Sequence, residues 1–196
     1  MTATSTQRAT ILALLALAIA VTRLHHFAAV PDASWAVFFI GGFYLREWTR
    51  WAFPALMALA VLVDYLAISA QGIDFWQHYC VSPAYWCLVP AYFATWAGGL
   101  LLRRAYDGTT WRSLGLLLVT LVGSVAACHL VAQGSFYWLS DSVSNPSAAG
   151  WWKNYTDWLA PYLRTTVVYV GAAALAHVAV ARAAAQHAGA RHRNGR

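Results

Sequence analysis

The hydrophobic and polar positions of this 196-residue chain form long apolar runs separated by short polar interruptions. A helix that crosses a bilayer needs roughly 20 mostly apolar residues. The runs predict six such helices, and no run alternates like the strands of a membrane β-barrel. The expected fold is therefore an all-α integral membrane protein, a single domain over residues 1–196. Its predicted helices cover residues 9–24, 34–46, 52–69, 84–102, 111–132 and 158–185.

Composition agrees with this pattern. Hydrophobic residues make up 60% of the chain and charged residues only 10%, against about 25% charged in soluble domains. The net charge of +6 comes from residues at helix ends and in the tail rather than from an amphipathic face. Composition therefore favours an anionic lipid surface as the basic residues' partner over nucleic acid.

The distribution of Lys and Arg predicts an orientation, because such residues accumulate on the cytoplasmic side. Three basic residues, Arg23, Lys153 and Arg164, fall on one side of the predicted bundle. Both termini are therefore expected in the cytoplasm, with the connectors near Cys80 and Trp151 outside. The other ten basic residues fall on the opposite side: Arg8, Arg46, Arg50, Arg103, Arg104, Arg112, Arg182, Arg191, Arg193 and Arg196.

Aromatic residues crowd the two outer connectors more than an interfacial belt requires. This excess predicts an outward-facing pocket lined by flat apolar rings, suited to a large or amphiphilic ligand. The connector residues are Phe75, Trp76, Tyr79, Tyr85, Trp86, Phe136, Tyr137, Trp138, Trp151, Trp152, Tyr155 and Trp158.

Ionisable residues inside membrane spans are costly and usually face the bundle interior or a wet cavity. Asp64 and Arg164 each lie about six residues inside the outer ends of their predicted helices, roughly 9 Å deep. They form either a structural ion pair between two helices or the polar floor of the ligand pocket. Both roles are compatible.

Histidines offer a second kind of chemistry. His25, His26, His78 and His129 fall near the predicted outer face, and His177 lies deeper. His26 and His78 are candidate ligand contacts. Two histidines on facing helices would also suit a haem iron, so a b-type haem electron carrier is the alternative function. No HExxH or CxxC motif indicates zinc or redox chemistry.

The connector Gln71–Cys87 contains the most distinctive candidate, Cys80, flanked by His78, Tyr79 and Tyr85. An isolated loop cysteine is often an inert thiol, and a Cys80–Cys87 disulfide is also conceivable. A solitary thiolate among aromatic rings is a good soft ligand for a transition metal. A nearby His78 or Arg23 would lower the pKa of the thiol. A third hypothesis is a thiol oxidoreductase that pairs Cys80 with Cys87 or Cys128.

Small residues at four-residue spacing along the first helix allow another helix to approach closely. This stripe serves either packing within the bundle or docking of a partner subunit. Its members are Ala9, Ala13, Ala16 and Ala20.

Six helices with both ends inside, the Ala9-x-x-x-Ala13 helix and a cup below outer connectors resemble the S-components of energy-coupling-factor (ECF) vitamin transporters. More narrowly, the Phe75-Trp76-Gln77-His78-Tyr79-Cys80 segment and a length near 200 residues resemble the BtuM group of small bacterial cobalamin transporters. The residue-level likeness rests mostly on Cys80 and its neighbours.

This resemblance implies uptake of cobalamin (vitamin B12) across the bacterial cytoplasmic (inner) membrane. The Cys80 sulfur would bind cobalt, with the dimethylbenzimidazole base displaced and with cysteine-dependent loss of cyanide from cyanocobalamin as an accompanying reaction. Other expected contacts, inferred from depth and side, are Trp76, Tyr79, Tyr85, Asp64, Arg164, His26 and His78. Cobalamin is then a substrate, and no resident cofactor is expected. No GxxxxGK[ST] motif is present, so ATP-driven transport would need an ECF-type ATPase partner, and uptake by this protein alone is the alternative.

Overall fold

A computed structural model describes residues 4–23 and 31–194, with side chains described up to residue 186. Over these residues the chain is helical and contains no strand, which confirms the all-α class. Short 3-10 helices cover Arg46–Trp48, Phe75–Gln77 and Pro83–Cys87. The α-helices are α1 Ser5–Arg23, α2 Ser34–Tyr44, α3 Thr49–Ser69, α4 Leu88–Ala105, α5 Trp111–Leu139 and α6 Ala148–Asn194.

Five of the described helical segments are long and apolar enough to cross a membrane. The exception is α2, whose 11 residues extend only about 17 Å, well short of a hydrocarbon core of about 30 Å. The predicted extension of this helix to residue 46 is wrong, because α2 ends at Tyr44 and a 3-10 turn follows. Six membrane spans therefore remain a prediction.

The largest error in helix boundaries concerns α5 and α6. Helix α5 continues to Leu139 instead of residue 132, and α6 begins at Ala148 instead of residue 158. The segment predicted as a polar connector is thus mostly helical, and Trp151 lies on α6. Its polar residues fit a helix because Lys153 and Asp157 form an i,i+4 ion pair of 2.6 Å on the exposed face.

The core is built on the close approach of α2 and α4. Gly42 of α2 and Gly99 of α4 lie in this contact, and a Cβ atom on either glycine would overlap the backbone of the opposite helix. Trp96 is completely buried beside this contact. Small residues allow such backbone proximity between membrane helices.

The antiparallel helices define two ends of the bundle. At the first, called the basic end, Arg8 of α1 pairs with Glu47, and Tyr44 of α2 bonds to His177 of α6. At the second, called the loop end, α1 and α3 finish and the connector Gln71–Cys87 leads into α4. The candidate site lies at the loop end.

Candidate functional site

The connector at the loop end is folded against α3 by local interactions. Gly72 supplies the positive φ of 74° that turns the chain after the helix. Asp74 then caps the 3-10 turn by accepting a 2.8 Å hydrogen bond from the Trp76 N–H. Phe75 is buried and packs with Tyr85 in a small apolar cluster. These contacts hold the two halves of the connector together around Cys80.

Cys80 lies half-buried in this connector. Its backbone N–H donates to Nδ1 of His78 at 3.3 Å, and the Tyr79 side chain lies close enough to interact with its thiol. Burial raises the pKa of the Cys80 thiol and Asp64 adds to the rise, while Tyr79 and Arg23 oppose it. The expected lowering by Arg23 or His78 is therefore outweighed, and the thiol is protonated at neutral pH.

Beneath the connector, Asp64 of α3 forms a bidentate ion pair with Arg23 of α1. The Arg23 Nε–H donates to Oδ1 at 2.5 Å and Nη2 donates to Oδ2 at 2.8 Å. Tyr85 adds a third hydrogen bond by donating to Oδ2 at 2.7 Å. The predicted Asp64–Arg164 pair is wrong. Similar depth suggested it, but depth does not reveal which helix faces which.

Arg23 has further partners on two other elements. Its Nη1 donates to Asp32 at 3.2 Å, to Ser34 at 3.0 Å and to the Tyr92 hydroxyl at 3.0 Å. The guanidinium side chain is only 5% exposed, so these bonds replace the water that burial removes. The sequence places Arg23 on the predicted outer side and near Cys80, but it does not indicate that Arg23 pairs with Asp64. The polar residues Asp32 and Ser34, which follow soon after Arg23, are a sequence signal for this network. Nothing in the sequence indicates that Tyr92 belongs to it.

Arg164 lies on the exposed face of α6. Among the side chains that the structure describes, it forms no ion pair. The structure therefore does not bring this predicted contact to Cys80. A different α6 residue, Tyr162, is close enough to Cys80 and Asp32 to interact with them electrostatically.

Half of the twelve aromatic rings predicted for the outer connectors are exposed. Trp76 is 67% exposed and Tyr79 is 63% exposed, while Tyr85 points inward to Asp64. Trp76 and Tyr79 therefore lie on the surface of the connector, and Tyr85 is part of the polar network beneath it. Two cavities that share Tyr106 lie at the basic end, and the expected aromatic pocket is neither of them.

The remaining candidate metal ligands are dispersed. His26 lies outside the described residues. His129 is buried and its Nε2 bonds to the Tyr155 carbonyl at 3.0 Å, while His177 lies at the basic end. No group of three His, Cys, Asp or Glu residues within the described ranges is arranged to hold a metal ion.

The three cysteines are free thiols. Cys128 is buried in the core, whereas Cys80 and Cys87 are half-buried. The structure therefore contains no Cys80–Cys87 disulfide, and burial keeps Cys128 away from solvent-borne thiols.

The alanine stripe on α1 divides into two parts. Ala9 and Ala13 are exposed, while Ala16 and Ala20 are half-buried, with Ala16 packed against the core. The first half of the stripe is open to another helix, and the second half contributes to packing in the bundle.

Comparison with known proteins yields no family: no family model matches the chain, and no curated protein matches it significantly. The fold and its apolar helices define a class, a multi-pass helical membrane protein. Any narrower function depends on the chemistry of the loop end.

Proposed function

We propose that this protein binds cobalamin at the loop end, with the Cys80 sulfur as axial ligand of cobalt, and mediates its uptake across the bacterial cytoplasmic membrane. The observation that carries the proposal is the position of Cys80. Its thiol lies half-buried above a buried Arg23–Asp64 ion pair, in a connector anchored by Phe75 and Tyr85. A fixed sulfur beside solvent is suited to a soft metal centre that arrives from outside.

The surroundings of the thiol suit a corrin ring, which has broad apolar faces and a rim of amides. Trp76 and Tyr79 offer exposed aromatic surface beside Cys80. Their exposure places apolar area where a bound ligand would remove it from water, at about 25 cal/mol per Å². The His78 ring, which lies 4.6 Å from the Tyr79 ring, extends this surface and adds a hydrogen-bonding group for the amide rim.

Asp64, Arg23 and Tyr85 support the site from below. Because each of them already has charged or polar partners, the network is suited to hold the connector in place. In this proposal Tyr85 and Asp64 position the Cys80 segment, and Arg164 is too far onto the outer face of α6 to be assigned a contact. The sequence-based expectation is different, since it assigns ligand contacts to Tyr85, Asp64 and Arg164 alike.

The chemistry at sulfur is a redox-neutral ligand exchange. Cys80 loses its proton and its sulfur donates an electron pair to cobalt(III), while cyanide leaves with the electron pair of the cobalt–carbon bond. The released proton and cyanide combine as hydrogen cyanide. Since burial raises the pKa of the free thiol, coordination must displace the proton, and exchange should quicken as pH rises.

The transport direction follows from the distribution of Lys and Arg, which favours cytoplasmic termini and an external loop end. Energy would come from an ECF-type ATPase module. The open half of the alanine stripe, Ala9 and Ala13, is the proposed contact with that module, since small residues permit close helix packing.

Visible absorption spectroscopy of the purified protein titrated with cyanocobalamin tests the proposal. We expect the bound corrinoid spectrum to change with loss of the cobalt–cyanide band. Cys80→Ala should abolish that change, while Cys87→Ala, a matched half-buried thiol in the same connector, should preserve it. An unchanged spectrum and affinity in Cys80→Ala would overturn the ligation. A haem Soret band in the untreated protein would support the alternative function instead.

A further inference from the structure

A cavity of about 600 Å³ lies at the basic end, between α2, α4, α5 and α6. This volume falls within the range of about 300–1,000 Å³ that is common for small-molecule sites. Its wall is mainly apolar and includes Phe39, Leu117 and Val170. It also includes Leu114 and Trp111, which are 43% and 87% exposed. The cavity therefore continues to the outer face of α5, which a bilayer would cover with lipid.

The wall also holds polar side chains: Thr109, Thr110, Ser113, Arg182 and three that are hydrogen-bonded to one another. The Tyr44 hydroxyl lies 2.7 Å from Nδ1 of His177, and the Tyr106 hydroxyl lies 2.8 Å from Nε2. A neutral imidazole has one N–H donor and one acceptor nitrogen. One tyrosine therefore accepts from the ring, and its own O–H hydrogen is left to donate elsewhere.

This hydrogen count does not depend on the state of His177. If the ring is protonated, both tyrosines accept from it and two hydroxyl hydrogens are left. Within the described ranges, neither Tyr44 nor Tyr106 shows a second acceptor. At least one hydroxyl hydrogen in this cavity is therefore free to donate to a ligand oxygen or to water.

Positive charge surrounds the mouth of the cavity. Arg182 of α6 lines the cavity itself. An adjoining cavity of about 390 Å³ shares Tyr106 with it and is lined by Arg46, Arg103 and Asp107. The described residues around the two cavities thus include three arginines and one aspartate. Asp107 already accepts hydrogen bonds from Thr110, Ser113 and Arg112.

We propose that the two adjoining cavities bind one anionic phospholipid from the surrounding leaflet. An acyl chain occupies the apolar cavity, an ester or phosphate oxygen accepts from Tyr44 or Tyr106, and the phosphate lies among Arg46, Arg103 and Arg182. Basic pockets between membrane helices are known sites for anionic head groups. This assignment is independent of cobalamin, because it concerns the opposite end of the bundle.

The test uses the full-length protein in nanodiscs with equal amounts of phosphatidylglycerol and phosphatidylcholine, followed by gentle extraction and mass spectrometry of the retained lipid. Wild type should retain phosphatidylglycerol preferentially. Ala174→Trp fills the cavity and should remove most of the retained lipid, while Ala176→Trp, on the exposed face of the same helix, should not.

A second pair of variants tests the head group. Arg182→Gln should lower retention of phosphatidylglycerol about fivefold, corresponding to one arginine near an anionic lipid surface. Arg104→Gln removes an exposed arginine that lines neither cavity, and it should leave retention unchanged. Thermal unfolding of each variant in detergent shows that it is folded.

Equal retention of the two lipids would overturn the head-group assignment, and retention unaffected by Ala174→Trp would overturn the cavity. Stabilisation by inorganic phosphate alone, equal to that by phosphatidylglycerol, would replace the lipid with a free anion. Retention that persists in Cys80→Ala, together with the expected losses in Ala174→Trp and Arg182→Gln, would support the lipid site whatever the outcome at the loop end.

Discussion

The two ends of this bundle differ in how fully their polar side chains are paired. At the loop end, Arg23 is buried, Asp64 is 12% exposed, and both are paired with charged or hydroxyl groups. At the basic end, a cavity of about 600 Å³ remains, with a Tyr44–His177–Tyr106 chain in its wall. A network whose groups are already paired is suited to hold the Cys80 connector in place, whereas a cavity with a spare hydroxyl donor is suited to accept a ligand. The loop end is therefore suited to positioning a side chain, and the basic end is suited to binding a ligand.

The substitution with the largest expected effect is Arg23→Gln, which should disrupt the loop end and leave the basic end unchanged. It leaves Asp64 without its bidentate partner, and removal of one member of a buried ion pair typically costs about 3–5 kcal/mol. We expect a large fall in the thermal unfolding temperature in detergent. Retention of phosphatidylglycerol, measured on protein that is still folded, should be close to that of wild type, because the basic end is untouched.

Arg164→Gln is the matched control, since it removes an exposed arginine on α6. It should change the unfolding free energy by no more than about 0.5 kcal/mol. Similar losses of stability in Arg23→Gln and Arg164→Gln would contradict the Arg23–Asp64 network. They would instead support Arg164 as the partner of Asp64.

Gly99→Ala tests the contact on which both ends depend. The added Cβ would collide with the Phe39 carbonyl of α2, and Phe39 also lines the basic-end cavity. Such overpacking costs about 1–3 kcal/mol. We therefore expect lower stability together with altered lipid retention. Gly123→Ala on α5, where a Cβ meets nothing within 4 Å, should be neutral or slightly stabilising; an equal loss there would refute the packing argument.

The smallest effect concerns the reactivity of Cys80. Because its pKa is raised by burial, the thiolate fraction at neutral pH is below that of an exposed cysteine. Maleimide labelling in a Cys87→Ser, Cys128→Ser background should be slow at pH 7. Its rate should rise about tenfold per pH unit and continue to rise beyond pH 9, the ordinary pKa of a cysteine thiol.

A reference thiol completes that experiment. Ser142→Cys, placed at an exposed position in a background without the native cysteines, should label faster at pH 7 and level off at lower pH. If Cys80 levels off first, the thiol is activated in the free protein, and the role assigned to burial is wrong.

The apolar pattern was sufficient for the helices because hydropathy acts locally along the chain. Five long apolar segments and the all-α class follow from it directly. The early start of α6 was missed because its first turns carry Lys153, Asn154 and Asp157, which resemble a connector until the i,i+4 ion pair is recognised. The Cys80 neighbourhood could be predicted in part, since Tyr79 and His78 are adjacent in sequence.

By itself, the sequence determined the helical class and the concentration of basic residues in particular connectors and the tail, whereas the likeness of the loop segment to a cobalamin transporter stays an expectation. Only the tertiary structure decided that Asp64 pairs with Arg23 and that Arg164 faces outward, because pairing depends on helix rotation and neighbours as well as depth. It also decided that His177 lies between Tyr44 and Tyr106. These residues are 133 and 71 positions from His177 in the chain, and helix packing alone brings them together.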